Sequence, residues 1–131
     1  MSKIRVLLAD DNSQVLEQVG KFLSTNGCEV IGTATDGQSA MDVAAELLPG
    51  VLVLDISMPT LNGMQAARRM LVVNPSFKVV FLTIYKDPDT CRAVMEIGAF
   101  GYVLKARLAC DLIPAIEHAR DGRHFVSSGC E

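Results

Sequence analysis

At 131 residues, with half of them apolar and a formal net charge of −3, the chain has the size and composition of one globular domain able to bury its own core. Its longest apolar runs, such as Val79 to Leu82, fall far short of the roughly 20 residues of a membrane-spanning helix. The acidic balance leaves no clustered basic footprint for nucleic acid, the pair Arg68-Arg69 reading as solvated helix surface.

Five short runs rich in Val, Ile and Leu read as buried strands: Ile4 to Ala9, Val30 to Ala34, Val51 to Leu54, Val79 to Leu82 and Gly101 to Leu104. Between and after them lie segments of helical spacing. The first carries Val15, Val19, Phe22 and Leu23, and the second Ala40, Val43, Ala44 and Leu47. The third carries Met64, Ala67 and Leu71, the fourth Cys91, Val94 and Met95, and the fifth Leu112, Ile116 and Ala119. Asn12 or Ser13 is placed to cap the first helix and Asp36 the second; Gly27, Pro49-Gly50 and Gly122 mark helix ends. Asn62-Gly63 would ordinarily signal a hairpin, but no alternating strand follows, so it is read as the start of the third helix. Pro114 is compatible with the last helix if that helix begins around Cys110 and the proline lies near its first turn.

Strict alternation of strand and helix predicts a (βα)5 doubly wound α/β fold, because parallel neighbours need helical crossovers. The expectation is one domain over residues 1–131, with a core of about 3–122 and a tail from about 123. Asp10 and Asp11 interrupt the first apolar run before a secretory core could form, so a cytosolic protein is expected. Cys28, Cys91, Cys110 and Cys130 lack the paired spacing of a zinc site and read as reduced, with Cys130 exposed.

In an open parallel sheet, functional groups collect beyond the carboxyl ends of the strands. Asp10 and Asp11 follow the first strand, Asp55 the third, Thr83 ends the fourth and Lys105 follows the fifth. Each has a plainer reading as a helix-end charge, a turn cap, a strand threonine or a solvated lysine. Taken together they describe one site. Three carboxylates at one edge repel one another and call for a hard divalent cation such as Mg2+, which takes one or two protein carboxylates and leaves positions open for phosphate oxygens. A carboxylate can then act as nucleophile toward phosphorus, with Lys105 and Thr83 binding the oxygens.

The stretches LLADDN (7–12), VLDISMP (53–59), LNGMQ (61–65), VVFLT (79–83) and GAFGYVLKA (98–106) resemble the receiver domains of bacterial two-component response regulators. The resemblance spans essentially the whole chain and implies strand order 2-1-3-4-5; a chemotaxis receiver of this order is a standard example of the fold. It implies that Asp55 accepts a phosphoryl group from a sensor histidine kinase or a histidine phosphotransfer protein. Asp11 and Asp55 would ligate Mg2+ directly, Asp10 mostly through bound water, and the backbone carbonyl of Ser57 would add a ligand. Thr83 would swing toward the phosphoryl group, Lys105 would pair with it, and Tyr102 would move inward. The fourth helix, fifth strand and fifth helix would form the output face. Taken alone, Tyr102 reads as a half-buried aromatic whose hydroxyl reaches solvent. His118 and His124 lie away from the carboxylates and read as surface or packing residues.

Three positions depart from the family pattern. Residue 106 is Ala where many receivers carry a cis proline, leaving the preceding peptide open to either isomer. Bulky Ile84 follows the switch threonine and is expected to restrict small phosphodonors. Tyr85 is expected to cover the phosphoryl pocket and slow hydrolysis. Ala106 together with GRHFVSS (122–128) resembles NarL/FixJ-like receivers that precede a helix-turn-helix DNA-binding domain; such a domain, or a receiver homodimer, belongs among the expected partners. A stand-alone receiver and a piece of a longer regulator both remain open. A haloacid-dehalogenase-like phosphatase would want a second aspartate where Ser57 stands, and a flavodoxin would want phosphate donors, not acids, in the first loop. A pseudo-receiver that signals without phosphorylation is the remaining alternative.

Overall fold

A computed structural model describes residues 3–127. Six parallel strands form one sheet in the order β2-β1-β3-β4-β5-β6, flanked by five helices. The strands are β1 Ile4–Ala9, β2 Cys28–Ala34, β3 Val51–Leu54, β4 Val79–Thr83, β5 Gly101–Leu104 and β6 Phe125–Val126. The helices are α1 Ser13–Ser24, α2 Gly37–Leu47, α3 Gly63–Val73, α4 Pro88–Ile97 and α5 Leu108–Arg120, with a 3-10 turn at Lys105–Arg107 leading into the last. The expected alternation and the order of the first five strands are both present.

The two-residue period of the strands sorts their side chains onto two faces. Leu7, Ala9, Leu52, Leu54, Phe81 and Tyr102 join the cluster that includes Ala44 of α2, Ala67 of α3 and Val94 of α4. Their strand neighbours Val6, Leu8, Val53, Val80, Leu82 and Val103 join the cluster of Val19 and Leu23 from α1 and Ile116 from α5. Every residue of β3 and β4 is buried, which is why these strands read as continuous apolar runs. Each fully buried Leu, Val or Phe contributes about 1.5–3 kcal/mol.

Helix starts follow the capping chemistry. Asn12 accepts from Gln14 and Val15 amides, Asp36 from Ser39, and Asp87 caps α4 with Pro88 in its first turn. Asn62 and Gln65 form a reciprocal capping box, so Asn62-Gly63 does open a helix.

Two expectations are corrected. The last helix starts at Leu108, two residues earlier than expected, so Pro114 lies inside it and not near its first turn. The 3-10 turn fixes that early start. The segment beyond residue 122 is also more than a tail, because β6 pairs Phe125 with Gly101 and Val126 with Tyr102. In addition, β2 begins at Cys28, with a register irregularity against β1 between Val6 and Leu7.

Cys28 is buried and Cys110 exposed, both as free thiols, and Cys91 is buried; the expectation for Cys130 lies outside the described residues. Among the described residues no helix is long and apolar enough to cross a membrane.

Two glycines bring helices unusually close to the chain that ends β3. A Cβ on Gly63 would lie 2.0 Å from the Asp55 carbonyl oxygen, and one on Gly37 would lie 2.0 Å from that of Leu61. Gly63→Ala is expected to lower stability by about 3 kcal/mol, because backbone and not a flexible side chain blocks the methyl; urea unfolding of the variant checks this.

Candidate functional site

Asp10, Asp11, Asp55 and Lys105 lie together at the strand ends, and Thr83 ends β4. Asp10 leaves β1 with its N–H bonded to the Ala34 carbonyl at 3.0 Å, and Asp55 leaves β3 with its N–H bonded to Ala9 at 2.9 Å. Sheet pairing thus sets the two aspartates side by side. Asp10 Oδ1 also accepts the Asn12 N–H at 2.9 Å, which shapes the β1–α1 turn carrying Asp11. One carboxylate oxygen from each of Asp10, Asp11 and Asp55 lies within 4.8 Å of the other two. Asp10 and Asp55 are buried, whereas Asp11 faces solvent.

Lys105, on the turn after β5, answers this charge. Its Nζ lies 2.8 Å from Asp10 Oδ2 and 3.4 Å from Asp55 Oδ2. The tighter partner in this state is therefore Asp10. Burial first, and then repulsion from Asp10, raise the Asp55 carboxyl above its ordinary range, with Lys105 and the Ile56 amide opposing. For Lys105, burial favours the neutral amine, but the Asp10 bond and the neighbouring negative charges outweigh it and hold the ammonium above its usual value.

These donors suit a hard cation. Three carboxylates crowd together, one lysine only partly compensates them, and Asp11 opens onto a surface depression also lined by Ser57, Met58, Asn62 and Tyr85.

The β4 side is organised around Tyr85. Its N–H donates to Thr83 Oγ1 at 3.2 Å, its carbonyl accepts the Tyr102 hydroxyl at 2.5 Å, and its own hydroxyl lies 2.6 Å from Ser57 Oγ. Thr83 is fully buried and Ser57 exposed. Ile84 is 72% exposed on the rim formed with Lys105 and Ala106. The plain reading of Tyr102 is corrected: its ring is 0% exposed and its hydroxyl is bonded to Tyr85 instead of reaching solvent. The described residues contain no cis peptide, so the Lys105–Ala106 bond is trans. His124 stacks on Phe100 and His118 meets the edge of Phe125, both as packing residues.

Sequence reasoning missed Arg107, Asp111 and Ser127. Asp111 is buried and accepts from Arg107 Nε at 2.8 Å and from Ser127 Oγ at 2.7 Å. The Arg107–Asp111 spacing of four was visible as a helix-face pair, but nothing local announces Ser127.

Because the folded state raises the Asp55 pKa, its ionisation opposes folding. That carboxyl favours the fold below its ordinary pKa, and the advantage is lost as pH rises through the raised value. At neutral pH without divalent metal, Asp55→Asn should therefore melt about 2–6 °C higher than wild type, and the gap should close near pH 3, as scanning calorimetry would read.

The model of the response regulator receiver domain matches residues 6–117. The chain is 36% identical over 126 residues to the transcriptional regulatory protein LiaR of Bacillus subtilis, covering 95% of this chain and 60% of that protein. It is 31% identical over 125 residues to the response regulator GacA of Pseudomonas viridiflava, covering 95% and 58% respectively. It thus spans under two thirds of the length of these relatives. Among solved structures, a LuxR-family two-component response regulator from Aurantimonas sp. SI85-9A1 superposes with a TM-score of 0.94 at 27% identity, covering 98% of this chain and 93% of that one. The isolated REC domain of RcsB from Salmonella enterica serovar Typhimurium, determined with the phosphomimetic BeF3-, gives 0.89 at 26%, covering 98% and 96%. The chain belongs to the response regulator receiver domain family, and within it to the receivers of NarL/FixJ-like regulators.

Proposed function

We propose that this receiver is a phosphorylation switch in which Asp55 is the phosphoacceptor. The observation that carries the reading is the meeting of Asp10, Asp11, Asp55 and Lys105 at one sheet edge. An Asp55 oxygen attacks the phosphorus of a phosphohistidine on a sensor kinase or phosphotransfer protein; the O–P bond forms as the P–N bond breaks, and the proton balance is completed at the imidazole. Asp11, Asp55 and the Ser57 carbonyl, with Asp10 through water, would hold Mg2+, which would supply charge neutralisation toward the transferring group. Lys105 releases Asp10 and pairs with the phosphoryl oxygens. Thr83 turns its hydroxyl to the same group and gives up the Tyr85 amide. Tyr102, already inward, follows the shift of the Tyr85 carbonyl.

The RcsB receiver, determined in the presence of the phosphomimetic BeF3-, supports this chemistry by likeness. In this reading residues 1–131 act as one cytosolic receiver unit, with α4, β5 and α5 as the output face. A second receiver or a DNA-binding domain of a longer regulator is the partner of that face, as RcsB dimers on DNA suggest by likeness. Ile84, on the rim, narrows the approach for small donors. Tyr85, held across the depression by Ser57, shields the acyl phosphate from water.

Intact mass after incubation with Mg2+ and a phosphorylated histidine kinase should rise by one phosphoryl group, and Asp55→Ala or omission of Mg2+ should abolish the gain. Failure with several kinases would turn the reading toward a receiver that signals by contact alone. Once labelled, Tyr85→Ala should lose its phosphoryl group about tenfold faster than wild type in a time course of intact mass; an unchanged lifetime would remove the shielding role.

A further inference from the structure

The turn that carries Lys105 lacks the proline that commonly follows this lysine, so other contacts must set its geometry. Two anchors hold it. Upstream, the Leu104 N–H donates to Ser127 Oγ at 3.1 Å; downstream, the Arg107 guanidinium grips Asp111 through Nε at 2.8 Å and more loosely through Nη2 at 3.4 Å. The anchors meet at one atom, because Asp111 Oδ2 accepts from both Arg107 Nε and Ser127 Oγ, the latter at 2.7 Å. Ser127 is 0% and Asp111 6% exposed. Ser127 is itself placed by its N–H, which donates to the Tyr102 carbonyl at 2.9 Å.

We propose that Asp111 and Ser127 are positioning residues for the phosphorylation site, holding the Lys105 turn from behind so that the end of β6 and the phosphoacceptor are energetically coupled. The inference rests on the phosphoacceptor reading of Asp55. The Ser127–Asp111 bond is buried and the Arg107–Asp111 pair partly exposed; both are charge-assisted and directional, and the turn they clamp is only three residues long. A small displacement of Leu104 or Arg107 therefore reaches the Lys105 ammonium with little loss. Coupling of this kind is reciprocal: if seating β6 favours the Lys105 contacts, drawing Lys105 onto a phosphoryl group alters the seating of β6.

A plainer role, in which Ser127 merely fastens β6, gives different results. The test uses the 131-residue chain as wild type, Ser127→Ala, Arg107→Met and Ile116→Val, the last a core truncation in the same helix remote from the turn. Without Mg2+, the carboxyl carbon resonances of Asp10 and Asp55 report the position of Lys105 directly. Both should shift in Ser127→Ala and in Arg107→Met, and stay in place in Ile116→Val at a comparable loss of melting temperature. With a phosphorylated kinase as donor, the maximal phosphorylation rate of the two turn variants should fall about tenfold while the half-saturating donor concentration is unchanged.

Unshifted carboxyl resonances and an unchanged rate in Ser127→Ala, with only the melting temperature lowered, would overturn the proposal. So would equal effects in Ile116→Val. Should wild type accept no phosphoryl group, the phosphoacceptor reading fails, and the resonances still decide the positioning role. If Ser127→Ala does not fold, the exposed substitution Arg107→Met carries the test by the same readouts.

Discussion

Where β1, β3 and β5 end, three carboxylates converge and one ammonium partly balances them. The sheet imposes this arrangement: the Asp55 N–H is bonded to Ala9, so the aspartates cannot separate without breaking the β1–β3 pairing. The carboxylates gain nothing for the fold by their closeness, and burial with Asp10 alongside holds the Asp55 carboxyl above its ordinary range. The surrounding apolar strands supply the stability that tolerates such a cluster. Lys105 is shared between Asp10 and Asp55, so a change in the charge of either acts on it directly.

Most of this was legible before any coordinates. Buried parallel strands show themselves as Val, Ile and Leu runs, and the rule that chemistry gathers beyond their carboxyl ends pointed to Asp10, Asp11, Asp55 and Lys105, which lie together, and to Thr83 at the end of β4. Capping residues located the helix starts because their chemistry is local, Asn62 with Gln65 being the clearest case.

What escaped depends on contacts distant in sequence or on elements too short for periodicity. Strand β6 has two residues, and no alternation can be read from two. The bond between Ser127 and Asp111 joins residues 16 apart, with a hydroxyl that resembles any other in a polar tail. The burial of Tyr102 depends on the Tyr85 carbonyl being turned toward it, which is a property of the loop after β4. Pro114 argued locally for a later helix start, and the 3-10 turn after β5 overrode it.

The near contact of α3 with the end of β3 has a mechanical meaning. With Gly63 packed so closely on the Asp55 carbonyl that no methyl fits between them, and the Gly63 N–H bonded to Ile56 at 2.8 Å, the Asp55 backbone sits against an unyielding wall. Across the depression, Ile84, Tyr85 and Lys86 form a solvent-facing loop outside any helix or strand. The two banks differ in packing: helix backbone stands on one side, and on the other a loop held by the hydrogen bonds of Tyr85. Since close-packed regions transmit displacement instead of absorbing it, a change at the Asp55 carboxylate has more room to be accommodated on the loop bank than against α3.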